Sequence, residues 1–523
     1  MKSFFLTAAV LLIVVSGFAQ GTLPSISMYN YRDIRALYLD SVNRHTSLGN
    51  ILREDTLTER SERKWLYRKL FLEHLVEIRQ DDFNVFADLI GDFNVGRSNA
   101  GNGKTVWTNT RGAHVQGNIG RKFYFESSFY ENQAKMPAYI DSFWLKHRVI
   151  PGQGEPKGGD GKYYDYAYVN ALMQYSPSRH LDLTLGYGTN FIGDGYRSMI
   201  LSDINFSYPY LKVTANLGNV QYTSMWAQFM DLKSLTFGQA YEDIGYLKKW
   251  GVFHYLDWNV NKRLSIGLFD AVIWPDADSA GRKRGFDWSY INPVIFLRPA
   301  EHSVGSSDNA MMGMTAKYKL WPKVTAYGQV VLDEFRIKEM FNGEGWWGNK
   351  WATQLGLKAF DLFKVDGLDL QGEFNAARPY TYSFRNTQGN YAHYNQSLAH
   401  PLGANFNEFI GIASYGHKRW FARAQVNYSN YGLDRNNDVS YGQDIFKSYE
   451  LRLSEYGNTI GQGLKTDLIY ATGSLAYVLN PKYNLRLEAS LTHRQETNSL
   501  FINKELIFQF GLRTTFRQFY YDF

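Results

Sequence analysis

Between Tyr163 and Asp203 the chain alternates apolar and polar positions through two runs and then stops alternating. Val169, Ala171, Met173 and Tyr175 fall on one side of the first run, with Asn170 and Gln174 on the other. In the second run Leu181, Leu183, Leu185 and Tyr187 alternate with Asp182, Thr184, Gly186 and Gly188. A period of two puts each set on one face of a β-strand. Ser176-Pro177-Ser178-Arg179 reads as the turn between them, because proline has no N–H for a ladder and serine favours turns. Each run is about ten residues long, the length a tilted strand needs to cross a bilayer. From Gly188 to Asp203 the pattern gives way to a glycine-rich loop.

The same alternation recurs after Asp81, interrupted by connections of two lengths. Short turns fall at 119–122, 176–179, 259–262, 321–323, 363–367, 416–419 and 480–482. Long connections fall at 132–162, 192–210, 275–309, 336–348, 378–405, 431–465 and 495–504. Short and long alternate, as periplasmic turns and extracellular loops do in an outer-membrane barrel. The intervals place strands at 82–94, 111–119, 122–132, 163–175, 181–190, 210–218, 219–230, 246–258 and 262–273. The rest lie at 310–320, 323–335, 349–360, 367–378, 405–415, 419–430, 466–478, 482–494 and 505–516. The expected fold is an all-β transmembrane antiparallel barrel of about eighteen strands. An even count returns the last strand to the side where the first began.

Both ends of the chain depart from this pattern. Residues 1–19 read as a secretory signal, with Lys2, an apolar core from Phe4 to Val15, and the small-x-small site Gly17-Phe18-Ala19. No cysteine follows, so a lipoprotein anchor is excluded. Residues 20–80 read as a small periplasmic helical segment, and 81–523 as the barrel. Thr56 to Arg79 is rich in Glu, Arg, Lys and Leu, with Trp65, Leu66, Phe71, Leu72, Leu75 and Val76 at helical spacing and Thr58 as a cap. A second helix is placed around Tyr31–Asn43. At the far end Leu506, Phe508, Phe510, Leu512 and Phe516 alternate, followed by Phe519-x-Tyr521-x-Phe523. Such an aromatic final strand resembles the signal read by barrel-assembly machinery. The phase slips between Phe516 and Phe519, which calls for a bulge or a free tail.

Composition agrees with a barrel. Aromatic residues make up 16% of the 523 positions and there are 46 glycines, fitting girdles of rings at two membrane interfaces. Mean hydropathy is −0.37, and no apolar run after the N-terminus approaches the ~20 residues of a spanning helix. A helical membrane bundle is thereby excluded. The net charge of +6 is scattered without a Lys/Arg run, so no nucleic-acid partner is expected. With no cysteine, disulfides, thiolate metal sites and cysteine nucleophiles are excluded.

Eighteen strands enclose a water channel unless something fills it. The longest loops are rich in Gly, Tyr, Asn, Asp and Arg, and are expected to fold over the mouth or into the lumen. Gly186–Leu211 carries Asp194, Arg197 and Asp203, which suit charge-assisted contacts in a lumen. Ser307-Asp308-Asn309 precedes a strand pair ending in Asp333-Glu334. Tyr391–Glu408 carries His393, Asn395, His400 and Asn405. Tyr163, Tyr164, Tyr166 and Tyr168 read as an interface girdle in preference to a saccharide platform. Trp346 and Trp347, and Tyr380, Tyr382, Tyr391 and Tyr394, leave sugar stacking and loop packing both open. His393 and His400 lack the convergent partners of a metal site. His302-Ser303 with Asp308 lacks a nucleophile elbow, and no phosphate or dinucleotide fingerprint is present. No metal, cofactor or catalytic residue is assigned, and the chain is expected not to be an enzyme.

The loop stretches resemble those of the capsule-assembly Wzi family of outer-membrane proteins, particularly its gliding-motility RemB-like branch in Bacteroidota. The resemblance rests on Gly186–Gly188 and Gly193–Gly195 with Ile200-Leu201-Ser202-Asp203, on Asp308-Asn309 with Asp333, and on His400-Pro401-Leu402-Gly403. It covers nearly the whole mature chain but matches no sugar-binding residue of the family. It implies an outer-membrane, lectin-like protein that holds or organises surface polysaccharide, with a motility or adhesion role in the RemB-like branch. The expected partners are outer-membrane lipid, surface polysaccharide, barrel-assembly machinery and, on the motility reading, other surface proteins. The candidates for polysaccharide binding or lumen plugging are Asp194, Arg197, Asp203, Trp346, Trp347, Tyr391, His393, Tyr394 and His400. A porin or transporter and an outer-membrane hydrolase are the remaining alternatives.

Overall fold

Asp92 to Ser98 pairs antiparallel with Ile507 to Arg513, and that seam closes a barrel of eighteen strands. The computed structural model describes residues 31–48, 62–100, 105–158, 163–232, 246–277, 282–293, 308–340, 342–514 and 519–523. The wall begins with β1 (Phe83–Ser98), β2 (Thr105–Ile119), β3 (Phe123–Lys135), β4 (Tyr164–Ser178), β5 (Leu181–Gly188) and β6 (Tyr208–Leu217). It continues with β7 (Val220–Asp231), β8 (Leu247–Asn259), β9 (Leu264–Pro275), β10 (Asn309–Trp321), β11 (Val324–Leu332) and β12 (Trp351–Ala359). It ends with β13 (Leu368–Ala377), β14 (Phe406–His417), β15 (Trp420–Leu433), β16 (Leu464–Asn480), β17 (Leu485–Thr497) and β18 (Ile502–Arg513). Every neighbour pair is antiparallel, and short turns at one end alternate with long loops at the other.

The alternation assigns the faces. Val169, Met173, Leu183 and Leu185 are exposed on the outside, whereas Asn170, Gln174 and Thr184 are buried inside. Outward Trp258, Trp321 and Trp420 stand at the short-turn ends of β8, β10 and β15, where rings suit a membrane interface. Between β6 and β7 the turn is only Gly218-Asn219, and Gly218 has φ +70°. A Cβ there would have open space, so it is the left-handed backbone that favours glycine.

The tyrosines at the start of β4 do not form a girdle. Tyr164, Tyr166 and Tyr168 share the inward face and are buried, and only Tyr163 is exposed. Four tyrosines within six residues straddle both faces of a strand, and these three fall on the lumen side.

The described part of the N-terminal segment holds α1 (Tyr31–Leu39) and α2 (Trp65–Phe71). The helix expected through Val76 stops at Phe71. Val76–Arg79 is instead a short strand paired with Asn84–Ala87 of β1, because its alternating side chains extend the sheet. Thr58 and the signal-like residues lie outside the described residues. The last strand also ends early, at Arg513, with Thr514 bonded to Gly91. Phe519, Tyr521 and Phe523 take no part in the wall; residues 519–523 turn into the lumen, where Tyr520 and Asp522 are buried.

The core of the molecule is this lumen. Ile192, Met199, Ile200 and Leu201 from the loop after β5 pack with Tyr382, Tyr391, Leu398 and Leu402 from the loop after β13. Around them stand Phe229, Phe253, Phe269, Met311 and Phe406 of the inner wall. This largest cluster is built against β6 to β16, while Phe206 of the loop after β5 packs on Ile90, Tyr130 and Tyr168 of β1, β3 and β4.

Candidate functional site

Two charged nodes fix the plug to the wall. At the first, Asp194 accepts hydrogen bonds from Tyr38 (2.7 Å), Ser47 (3.0 Å) and Thr46. The N-terminal segment therefore enters the lumen from the short-turn side and meets the loop that came from the other end. His45 lies 3.0 Å from Asp257, and Lys317 donates to the Arg44 carbonyl (2.8 Å). Burial pushes the Asp194 carboxyl up, but Lys317, Lys358 and its hydroxyl donors outweigh that and hold it below the usual range.

At the second node Arg197, with no solvent exposure, bridges Glu408 of β14 (3.1 Å) and Asp522 of the C-terminal tail (3.0 Å). His400 Nε2–H donates to Glu408 (2.7 Å), while its Nδ1 accepts from the Leu402 N–H (3.2 Å). This neutral tautomer agrees with burial lowering the His400 pKa against the pull of Glu408. Gln425 and Asn427 of β15 donate to Asp522. A buried ion pair of this kind survives because every lone pair is served.

The loop after β13 is tightly determined. Tyr380, Tyr382, Tyr394, Asn395 and Asn405 all have positive φ, between 52° and 69°. Holding ordinary side chains there costs energy that only surrounding contacts can offset. Those contacts are present: Tyr380, Tyr382 and Tyr391 hydroxyls donate to the Ser440, Met199 and Ile200 carbonyls. His393 accepts from the Met230 N–H (3.0 Å) and meets the Ser207 carbonyl through Nε2 (3.3 Å). Burial lowers its pKa to about 3. Tyr394 packs on Phe206 with ring centroids 4.9 Å apart, and Asp203 is buried beside Tyr520.

Trp346 and Trp347 sit apart from this plug, over the loop after β15. Trp347 packs on Tyr449 (4.7 Å), lies under the Arg452 guanidinium (4.4 Å) and donates to Glu455 (2.8 Å). Arg336 covers Trp346 at 4.6 Å. Most of both ring systems is thus engaged within the protein. Of the candidates, Asp194, Arg197, Asp203, Tyr391, His393 and His400 meet in the plug; Tyr394 borders it, and the tryptophans do not join it.

Among the described residues, two spaces border the plug. A cleft of about 60 Å³ at the long-loop end lies between Phe143, His147, Asn395, Gln443, Asp444 and Phe446. Phe143 and His147 belong to α3 (Ala138–His147), in the loop after β3. A second cavity of about 140 Å³ runs between the plug and the inner wall, edged by Tyr130, Tyr166, Tyr168, Asn132, Tyr470 and Gln509. Aromatic faces beside amides and hydroxyls suit polar, ring-shaped ligands. Alternation carried the signal for the inward tyrosines, since Tyr164, Tyr166 and Tyr168 share the parity of Asn170 and Gln174, the polar side of the strand.

No protein-family model and no curated protein matches the sequence. Among solved structures the chain is similar to Wzi, an outer-membrane protein involved in group 1 capsule assembly in Escherichia coli and described as a carbohydrate-binding β-barrel. The TM-score is 0.55, with 11% identity over 95% of this chain and 99% of that one. OprD of Pseudomonas aeruginosa matches with a TM-score of 0.44 and 9% identity, over 82% and 94% of the two chains. OccAB2 of Acinetobacter baumannii gives 0.44 and 10%, over 84% and 99%. At 11% identity the likeness to Wzi is one of fold, the closed antiparallel barrel of an outer-membrane protein.

Proposed function

We propose that this chain resides in the outer membrane and binds or organises surface polysaccharide at its long-loop end, holding the glycan without cleaving it. The filled lumen carries the reading. Residues 38–47 enter from one end, two loops enter from the other, and Arg197 and Asp194 lock them together. A polymer then has the loop face to engage, where Phe143, His147 and Phe446 offer ring surfaces beside Asn395, Gln443 and Asp444. Sugars are bound by this combination of stacking and hydrogen bonding. The carbohydrate-binding description of Wzi, a barrel of the same fold, adds support.

The test is binding of the purified, folded barrel to the surface glycans of its own bacterium. Phe446→Ala with Asn395→Ala should weaken retention at least tenfold while the barrel stays folded; no binding by the wild type sinks the proposal. Planar-bilayer recording separates the porin reading, since a filled lumen predicts little current and a steady conductance would favour transport. For the motility or adhesion reading, the deciding result is a deletion strain with intact capsule but altered spreading.

A further inference from the structure

Toward the long-loop end, the inner wall carries two neighbouring rows of polar side chains. Arg513, Asp92, Thr110, Asn132 and Tyr166 pair in turn across β18 and β1 to β4. One step nearer the loops, Asn94 pairs with Thr108, and Thr108 with the small Ala134. Alternation turns every second side chain of a strand inward, so both rows face the lumen. They form one side of the partly open 140 Å³ cavity. Pro137, Tyr139 and Gln153 of the loop after β3 form a second side, and Tyr521 of the C-terminal tail a third.

These sides are fixed in place. The Ala138 and Tyr139 N–H groups donate to Glu505 of β18 (3.0 and 3.3 Å), and the Gln153 carbonyl accepts from Gln396 of the loop after β13 (2.8 Å). Inside the cavity, polar capacity is left over. Gln153 is 2% exposed, and among the described residues its Oε1 accepts no hydrogen bond. A buried acceptor without a donor is costly. Asn94, Thr108 and Gln509 border the same space and are partly exposed.

The neighbouring charges, by contrast, are matched within the protein. Arg513 grips Asp92 with two hydrogen bonds (2.9 and 2.8 Å) and reaches Glu488 (2.6 Å). Arg494, stacked on Tyr139, is held by Glu496 and the Phe523 carbonyl. Lys135 ends β3 at the rim, where alternation turns it outward.

We propose that this cavity binds one neutral pyranose ring, a single sugar unit held inside the lumen. A cavity of about 150 Å³ takes up one six-membered ring, so 140 Å³ admits a single unit and not a chain. The C–H face of the ring lies against Tyr166 and Tyr521, and its hydroxyls bond Asn94, Thr108, Gln153 and Gln509. A uronate fits less well, because the nearest guanidinium already faces two carboxylates. The cavity shares no bordering residue with the loop-face cleft. A polymer held at the cleft and a single unit held here are separate events, so this site stands without the polysaccharide reading.

The test uses the full chain in lauryldimethylamine oxide micelles, a detergent that carries no sugar. Methyl α-D-glucopyranoside, -galactopyranoside and -mannopyranoside are titrated by saturation-transfer NMR, with glucuronate for comparison. At least one neutral pyranoside should bind, and more tightly than glucuronate. Thr108→Phe and Asn94→Phe fill the space and should each weaken that binding at least tenfold. Gln153→Ala should weaken it about fivefold, the loss of one hydrogen bond. Phe446→Ala with Asn395→Ala should leave it unchanged while retention of the whole glycan falls, so the two sites fail separately. Folding is read from mobility on unheated gels; if one filling variant misfolds the other decides, and if both do, Gln153→Ala decides. The proposal is overturned if none of the three pyranosides binds, if glucuronate binds more tightly, if the folded filling variants bind as the wild type does, or if the cleft variant alone abolishes binding.

Discussion

Arg197 and Glu408, 211 positions apart in the chain, form an ion pair with no solvent exposure, Nη2 to Oε1 at 3.1 Å. The pair joins a loop to the wall it folds into. Arg197→Met would leave Glu408 and Asp522 buried without their cation. Removing one partner of a buried pair costs about 3–5 kcal/mol. Thermal unfolding followed by circular dichroism should show that loss, and planar-bilayer current should rise as the plug loosens.

Asp194 tests the other anchor. Asp194→Asn keeps one acceptor for Tyr38, Thr46 and Ser47 but removes the charge that faces Lys317 and Lys358. A loss on the order of 3 kcal/mol is expected. Limited proteolysis should then cut within 38–48 in detergent-solubilised protein, at sites the wild type protects.

His393 sets a pH dependence. Its folded pKa of about 3 lies below the unfolded value of 6.5. Its contribution to stability is therefore whole above pH 6.5 and lost progressively as pH falls toward 3, because only the unfolded chain takes up the proton in that window. Hydrogen exchange in 391–404 should accelerate, beyond its intrinsic pH effect, between pH 6.5 and 4. His393→Phe should flatten that slope.

Trp347 separates packing from binding. Its ring is engaged by Arg452 and Tyr449, and its N–H by Glu455. Trp347→Ala should destabilise the loops by roughly half of the 3–5 kcal/mol of a fully buried ring, since it is only half-buried. Glycan retention should fall less than threefold, against tenfold for the Phe446 and Asn395 variant.

The wall was legible in the sequence because a period of two is local: Leu181 to Gly188 declares its two faces without reference to any other strand. The eighteen strands follow from that. Boundaries were less legible, since β2 begins at Thr105 through a polar stretch that alternation does not mark. The plug was not legible as a structure. Arg197 and Glu408 carry no signal of each other across 211 positions, and residues 40–48 look like a connector although they line the lumen.

Glu408 also has a mechanical meaning. It is held by Arg197 from one loop and by His400 from another, and its own backbone lies in the ladders of β14 with β13 and β15. Tension applied to the loop face is passed through those two side chains into three strands at once. Strands loaded along their length resist by shear across many hydrogen bonds, so a long polymer anchored at the mouth would pull against the whole wall and not against a single loop.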